Sequence, residues 1–353
     1  MLNAAATGAV RARPALSSVF AFVVALLSTV LTSCAAPVES GGRSAAMQDV
    51  NPVASGSPLA RIAANARIDA FYVGHSLISE IPDMAMSMAN ARRPGAMTFR
   101  EQNIAGAPLR WHWTQAAPGG AKAFVAGNQY QENAHDALAT GRYSHLVLTD
   151  GVPRGGQELE EETVVYLGEF VRLARKHRPD IRTYYYETWP HLSSGTPDAP
   201  KFDNASPTRH LPWRARVDAD AAMWERIVQR VNEAQPAAPG QHAVKLIPAG
   251  RIMGRIAHAA ALGKIPGFQR ADDFFTDGIH LNHYGLYAVA AIHFAVLTSQ
   301  DPRGATADVR NRWGAGYWGT RYWTGTMFNE PTAAARQAIL EVIFSGLLDL
   351  YRP

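Results

Sequence analysis

Short apolar runs alternate with longer stretches of helical periodicity along most of the chain. The apolar runs predict strands at residues 68–73, 97–103, 144–148, 181–187 and 243–247. Apolar positions that recur every three or four residues predict helices at residues 81–91, 132–139, 159–176, 215–234, 284–297 and 332–350. Strands that alternate with helices are typical of parallel βαβ units. The pattern therefore predicts an α/β fold, with a parallel sheet of about five strands covered by helices on both faces.

The segment at residues 191–213 interrupts this alternation. It is rich in Pro, Ser, Asp and Asn, and it is too long for an ordinary connection between a strand and a helix. It follows the fourth predicted strand, and open α/β sheets bind ligands at the carboxyl ends of their strands. We therefore expect this insertion to cover the substrate, with an insertion of no special role as the alternative.

The first 33 residues have the composition of an export signal. Arg11 and Arg13 precede an apolar stretch at residues 15–31, which is shorter and less uniformly apolar than most membrane-spanning helices. The stretch ends at Leu31-Thr32-Ser33-Cys34, which resembles the lipobox of bacterial lipoproteins. That resemblance implies lipidation of Cys34 and a place in the cell envelope, anchored to a bacterial membrane. An ordinary signal peptide cut near residues 35–36 is the alternative.

The rest of the chain divides into a tether, a domain and an extension. Residues 34–66 are rich in Ala, Ser, Gly and Pro and predict a flexible tether. One domain is expected at residues 67–300, with a C-terminal extension at 301–353 that packs on it. The extension contains a set of aromatic residues for which we expect packing at the edge of the core, with sugar binding as the alternative: Trp313, Tyr317, Trp318, Tyr322 and Trp323.

Composition and charge exclude several classes of protein. The hydrophobic fraction of 47% is that of a globular chain, and a single cysteine leaves no internal disulfide. The formal net charge is +4, and it falls to +2 without the first 33 residues, with 32 basic residues against 30 acidic ones. Because no dense basic run with interleaved aromatic residues occurs either, nucleic acid is not an expected partner.

Two segments about two hundred residues apart carry the candidate chemistry. The first predicted strand runs into Gly74-His75-Ser76, which brings a serine to a sharp turn between a strand and a helix. The second segment has Asp277 three residues before His280, a spacing that places both side chains on one face of a turn entering a helix. Together they supply a nucleophile, a base and a carboxylate that orients the base. The alternative is a helix N-cap at Ser76 and a surface pair at Asp277 and His280.

A metal site is a further alternative for the second segment. Asp277, His280 and His283 follow one another at intervals of three residues and are all possible metal ligands. The upstream histidines are scattered, and no His-x-x-x-His pattern occurs in the sequence. We therefore expect no metal and no cofactor.

These residues also resemble a known family. Gly74-His75-Ser76-Leu77 resembles the GDSL block of SGNH hydrolases, and Asp277-Gly278-Ile279-His280 resembles their closing Asp-x-x-His block. The resemblance covers residues 67–297. It implies a three-layer α/β/α, flavodoxin-like fold and metal-independent ester hydrolysis, with Ser76 as nucleophile, His280 as base and Asp277 as its orienting partner. His75 stands where the family has an aspartate, but that side chain is not part of the family's triad.

The resemblance extends to the oxyanion hole, with one departure. Gly106, after the second predicted strand, matches the family's glycine block, so its amide and that of Ser76 are expected donors. The family's asparagine block, Gly-x-Asn-Asp, is replaced by Leu148-Thr149-Asp150-Gly151. Because an ionised aspartate beside an oxyanion is unfavourable, Thr149 is the expected third donor.

Three further residues are candidates for substrate binding. Trp111 follows the glycine block, and Glu187 and Trp189 lie at the end of the fourth predicted strand; packing at the ends of elements is the alternative. By analogy with the family alone, the expected substrate is a small acyl ester, such as an acetyl ester carried by a glycan. The expected function is that of an exported carboxylic ester hydrolase. A non-catalytic glycan-binding lipoprotein and an O-acyltransferase on the same fold are the alternatives.

Overall fold

A computed structural model of the chain describes residues 66–117, 122, 124–151, 156–200 and 206–351. The predicted signal peptide, Cys34 and residues 34–65 of the predicted tether lie outside the described residues. The described chain contains one sheet, whose strands are β1 (Ile68–Gly74), β2 (Met97–Asn103), β3 (His145–Leu148), β4 (Arg182–Tyr186) and β5 (Lys245–Ile247).

All neighbouring strands of the sheet are parallel, in the order β2-β1-β3-β4-β5. Tyr72 of β1 pairs with Glu101 of β2, and Phe71 pairs with Leu146 of β3. The chain leaves β1 for β2 on one side and then crosses to β3 on the other side. The strand order therefore reverses at β1 and β3, and their carboxyl ends form the crevice where such sheets bind ligands.

Helices cover both faces of the sheet. One face packs against α1 (Ile81–Arg92), α6 (Ala249–Ala261), α7 (His283–Thr298) and α8 (Ala333–Leu350). The other packs against α2 (Leu109–Thr114), α3 (Ala134–Ala139), α4 (Gln157–His177) and most of α5 (Trp213–Ala234). The predicted three-layer α/β/α, flavodoxin-like fold is confirmed. No helix in the described part of the chain has both the length and the apolarity that crossing a membrane would require.

Side chains of β1 alternate between the two cores, as the period of a strand requires. Ala70 and Tyr72 enter the core of the first face, and Phe71 and Val73 enter that of the second. All of them are fully buried. Because both faces are covered, β1 has a continuous apolar run at residues 70–73, as in a central parallel strand, rather than an alternating sequence.

Two helices were not predicted from the sequence. The short α2 has only six residues, too few to show a helical period. α6 starts two residues after β5 ends, with Pro248 alone between them, so no polar turn separates the apolar run of the strand from that of the helix. The helices that were predicted are present, with ends that differ by a few residues.

The C-terminal extension contributes to the core and to a buried ion cluster. Ile339 and Ile343 of α8 belong to the same core as Ile252 of α6. Upstream of α8, Arg312 lies 2.7 Å from the Asp83 carboxylate of α1 and also pairs with Glu101 of β2. Burial raises the pKa of Glu101, and the Arg312 guanidinium opposes that change. Arg312 thus joins the extension to both α1 and the edge of the sheet.

Replacing Arg312 with alanine should lower the free energy of unfolding by about 3–5 kcal/mol, because it leaves two buried carboxylates without their cation. Arg310→Ala is the matched control, since Arg310 pairs with the exposed Asp308 two residues away and should contribute less than about 1 kcal/mol. Urea denaturation of both variants measures the difference. Equal losses in the two proteins would contradict the role given to Arg312.

Candidate active site

Ser76 lies just beyond the carboxyl end of β1, at the start of a 3-10 turn that spans Ser76–Ile78. A Cβ atom on Gly74 would come within 2.6 Å of Thr149 Cγ2, so the strand end can approach β3 this closely only with glycine there. The N-cap of the turn is His75, whose Nδ1 accepts from the backbone N–H of Leu77. The alternative role of Ser76 as an N-cap is therefore wrong.

The buried His75 links the turn to the end of β3. Its Nε2 lies 2.8 Å from the Asp150 carbonyl oxygen, and because a carbonyl only accepts, Nε2 carries the proton. Burial lowers the pKa of His75, with the Asp150 carbonyl opposing the effect, so the ring is neutral. The residue where SGNH hydrolases have an aspartate thus fixes the serine turn against the sheet.

Ser76, His280 and Asp277 meet in one hydrogen-bonded row. Ser76 Oγ is 3.0 Å from His280 Nε2, although 204 residues separate the two in sequence. His280 Nδ1 is 2.8 Å from Asp277 Oδ2. Because an ionised carboxylate only accepts, Nδ1 donates to Asp277, which leaves Nε2 to accept from the serine hydroxyl. This is the arrangement in which a histidine can remove the proton of a serine.

The turn at residues 277–280 orients the Asp277 carboxylate. Its Oδ1 accepts from the backbone N–H groups of Ile279 and His280, both at 2.7 Å. Burial opposes ionisation of Asp277, but these hydrogen bonds and the one from the His280 ring outweigh it and lower the pKa of the carboxyl. Asp277 is therefore an ionised and oriented partner for the imidazole at neutral pH.

The described part of the 191–213 insertion packs against this turn and is hydrogen-bonded to it. The backbone N–H of Leu192 donates to the Gly278 carbonyl at 2.7 Å. Just before the insertion, the Trp189 indole N–H donates to the Ile279 carbonyl at 2.8 Å. A Cβ on Gly278 would lie 1.9 Å from His191 Nε2, so the two segments are in close contact. We expected the insertion to cover the substrate, but its described residues hold the Asp277 turn in place and do not line the cleft at Ser76.

A cleft of about 340 Å³ opens beside Ser76 and His280. Its walls combine four buried apolar side chains with several polar groups. The apolar walls are Leu77, Leu281, Leu286 and Trp189, and the other lining residues are Ser79, Glu80, Tyr322 and Trp323. Such a mixture suits a small organic ligand that has both an apolar and a polar part.

The loop after β2 carries Gly106, the predicted oxyanion donor, in a left-handed conformation with φ of +67°. The backbone N–H of Ile104 donates to the Gly74 carbonyl at 3.0 Å, which ties this loop to the strand that ends at Ser76. The loop that carries Gly106 thus starts beside the end of β1, but Gly106 is not among the residues that line the described cleft.

Thr149 does not offer its hydroxyl to the crevice. The side chain is fully buried, and Oγ1 donates to the Tyr186 carbonyl at 2.8 Å. It therefore connects the end of β3 to the end of β4. The expectation that Thr149 is a third oxyanion donor is not supported by the structure.

Asp150 has a structural role that the sequence did not reveal. Its Oδ1 accepts from the backbone N–H of Leu109 at 2.9 Å, at the start of α2, and from that of Gly151 at 2.8 Å. Its Oδ2 accepts from the Thr163 hydroxyl at 2.6 Å. The aspartate therefore holds the loop that contains Gly106 against the end of β3, which explains a carboxylate at this position.

The three candidate substrate-binding residues have different surroundings in the structure. Trp189 is the one among them that lines the cleft. Glu187 is buried and pairs with Arg251 at 2.9 Å, where burial raises the pKa of the carboxyl to about 7 and Arg251 opposes that shift. Trp111 is half-buried on α2 and does not line the cleft. Glu187 and Trp111 are therefore not supported as substrate contacts.

Glu80 and Trp323 line the cleft but were not predicted as site residues. Glu80 is the N-cap of α1 and has a left-handed backbone, with φ of 67°. Burial raises the pKa of its carboxyl to about 7, the nearby Asp83 adds to the shift, and Tyr322 and Arg312 oppose it. No motif marks Glu80. For Trp323 the sequence offered one signal, the aromatic stretch of the C-terminal extension that contains it.

His283 does not take part in a metal site with Asp277 and His280. Its ring packs in an aromatic cluster formed by Tyr317, Trp318, Tyr322 and Phe328. Burial lowers the pKa of His283 to about 4, so it is neutral there. In the part of the chain that the structure describes, no group of three or more His, Cys, Asp or Glu residues could hold a metal ion.

The raised pKa of Glu80 predicts a dependence of stability on pH. Between pH 4.5 and about 7 the native chain holds a proton that the unfolded chain has released, so the free energy of unfolding should fall as pH rises through this window. The loss should be at most about 3 kcal/mol, and Glu80→Gln should reduce the slope. Chemical denaturation at a series of pH values measures it. An identical slope in the variant would show that Glu80 titrates normally.

Comparisons with known proteins agree with the fold. Neither the protein-family models nor the curated proteins include a match to this chain. Among solved structures, a DUF4886 family protein from Bacteroides uniformis is similar, with 14% identity, 81% of this chain and 97% of that chain covered, and a TM-score of 0.51.

Two more distant structures are also similar. A protein from Parabacteroides merdae described as a GDSL-like lipase has 12% identity over 66% of this chain and 96% of its own, with a TM-score of 0.41. A carbohydrate esterase family 3 protein from Talaromyces cellulolyticus has 12% identity over 65% and 96%, with a TM-score of 0.34. Identities this low speak to fold alone. This chain has a three-layer α/β/α fold, which it shares with the DUF4886 family protein.

Proposed function

We propose that this chain is a carboxylic ester hydrolase that works through an acyl-enzyme on Ser76. The row Ser76–His280–Asp277, with separations of 3.0 and 2.8 Å, is the observation that carries the proposal. The row lies at the reversal point of a parallel sheet and opens on a cleft, which is where such a fold binds its ligand. The fold is consistent with this chemistry but does not by itself assign it.

The proposed reaction has two steps. His280 Nε2 takes the proton of Ser76 as Oγ attacks the ester carbonyl, and Asp277 stabilises the imidazolium that forms. His280 then gives the proton to the alcohol oxygen as its bond to the carbonyl carbon breaks, which leaves the acyl group on Ser76. In the second step His280 takes a proton from water, the hydroxide attacks the acyl carbon, and Ser76 recovers its proton from His280.

The oxyanion that forms in each step needs hydrogen-bond donors. We assign this role to the backbone N–H groups of Ser76 and Gly106, which belong to neighbouring loops at the same sheet edge. Since Thr149 donates to Tyr186, we assign it no part. A site without a third donor would lose roughly 3 kcal/mol of transition-state stabilisation, so we expect a modest turnover number.

The acyl part of the proposed substrate is small. The cleft has a volume of about 340 Å³, and this space must also admit part of the alcohol. The apolar walls at Leu77, Leu281 and Leu286 suit a short aliphatic group such as acetyl. A long acyl chain would extend beyond these walls into water.

The proposed triad predicts a defined set of losses with p-nitrophenyl acetate. Ser76→Ala and His280→Ala should each lower kcat/KM by at least about 10³-fold, and Asp277→Asn should also be strongly impaired because the imidazole loses its orienting acceptor. Ser87→Ala on α1 and the exposed His258→Ala on α6 are controls that should retain full activity.

A fluorophosphonate separates this proposal from a glycan-binding protein without turnover. The wild type should form a covalent adduct at Ser76, identified by mass spectrometry, and Ser76→Ala should form none. A folded wild type that neither reacts with the probe nor hydrolyses the ester would rule out the hydrolase.

We also propose that the chain is exported and attached to a bacterial membrane through a lipid on Cys34. Arg11, Arg13 and the apolar stretch that ends at Leu31-Thr32-Ser33-Cys34 support this. Cells that express the full chain with labelled palmitate should yield a labelled, membrane-bound protein, and Cys34→Ala should abolish the label. Label that persists in the variant would refute attachment at Cys34.

A further inference from the structure

Trp323 presents a large apolar surface to water at the edge of the cleft. Its side chain is 66% exposed, and it lines the cleft together with Ser76 and His280. The centroid of its ring lies 6.2 Å from that of His280, with the two planes nearly perpendicular at 88°. Trp313, in the same extension, is 60% exposed but packs edge-on against Tyr130 and does not line the cleft.

A short hairpin of the C-terminal extension holds Trp323 at this place. The backbone N–H of Tyr322 donates to the Thr326 carbonyl at 2.8 Å, and Gly325 makes the turn with φ of +85°. The Tyr322 hydroxyl donates to the carbonyl of Leu281 at 3.0 Å, the residue that follows His280. The indole is therefore tied to the segment that carries the proposed base.

The proposed reaction determines what lies beside Trp323. His280 must deliver its proton to the alcohol oxygen of the ester, so the alcohol part of the substrate passes next to the His280 ring. Trp323 contacts that same ring. An exposed indole offers a flat apolar face, and polar groups of Ser79 and Glu80 line the same cleft. A sugar ring matches both features of the cleft. The C–H groups on one face of the ring can pack on the indole, and the hydroxyls at its edge can bond to the polar groups.

We propose that the alcohol part of the substrate is a sugar and that Trp323 stacks on its ring as the residue that determines this specificity. The inference rests on the proposed ester hydrolysis at Ser76. In this proposal the C-terminal extension binds the leaving sugar, and the residues at the edge of the sheet carry out the chemistry.

Acetyl esters of two kinds of alcohol, sugars and ethanol, test this inference. O-Acetylated xylo-oligosaccharides, manno-oligosaccharides and chito-oligosaccharides offer a ring to Trp323, whereas ethyl acetate offers none. A nitrophenyl ester is avoided because its own ring could stack. In Trp323→Ala the ratio of kcat/KM for the best oligosaccharide to that for ethyl acetate should fall about 10-fold, mainly through KM. Trp323→Phe should restore part of the ratio, and the matched control Trp313→Ala should leave it unchanged.

Three results would overturn the inference. The ratio could stay unchanged in Trp323→Ala, or it could fall equally in Trp313→Ala. The third is a loss in Trp323→Ala that grows from ethyl acetate to ethyl butyrate, which would place the acyl chain on the indole instead.

Binding to Ser76→Ala separates failure of this inference from failure of the proposed function. Calorimetric titration with the same oligosaccharides should show binding to Ser76→Ala, and the added Trp323→Ala should weaken that binding about 10-fold. If the wild type hydrolyses ethyl acetate but Ser76→Ala binds no oligosaccharide, the hydrolase stands and the sugar site is wrong. If the wild type hydrolyses nothing while binding depends on Trp323, the sugar site stands and the hydrolase is wrong.

Discussion

The candidate site depends on the hydrogen bonds that the Asp277 carboxylate makes to its own turn. Two backbone N–H groups, of Ile279 and His280, and the His280 ring all donate to it. One carboxylate thus shapes the turn and orients the imidazole that the turn carries. The turn is only partly buried, and it is supported by contacts from other segments. Trp189 and Leu192 supply these contacts through the carbonyls of Ile279 and Gly278. The position of His280 therefore rests on contacts from the segment after β4 and from the insertion, not on its own turn alone.

A second set of buried polar contacts fixes the serine side of the site. Neutral His75 donates to the Asp150 carbonyl, while the Asp150 carboxylate accepts from the start of α2 and from α4. Asp150 is therefore bound to both loops that would supply oxyanion donors, those of Ser76 and Gly106. A buried carboxylate is tolerated here because several donors satisfy it. The aspartate that stands where SGNH hydrolases have an asparagine block thus has a structural role: Asp150 holds the two loops and contributes no donor to the crevice.

The C-terminal extension is part of the same physical system. Arg312 pairs with Asp83 of α1 and with Glu101 of β2. The Tyr322 hydroxyl donates to the carbonyl of Leu281, the residue after His280. The extension thereby reaches the cleft and provides one of its walls. Glu80 lies between these two anchors, with a left-handed backbone and a pKa raised to about 7. Its ionisation state is set by burial, by Asp83 on the same helix and by Tyr322 and Arg312 of the C-terminal extension, so no local sequence pattern could have signalled it.

The sequence alone determined the five parallel strands, most of the helices and the three residues of the hydrogen-bonded row, because apolar periodicity and motif spacing are local properties. The Gly-His-Ser turn at Ser76 and the Asp-x-x-His spacing of Asp277 and His280 can each be recognised from a few consecutive residues. Tertiary structure decided everything that depends on partners distant in sequence. It directed the Thr149 hydroxyl to Tyr186 and paired Glu187 with Arg251, so neither is free for a ligand. It also brought Trp323 beside His280, since an exposed aromatic residue acquires a function only from what packs next to it.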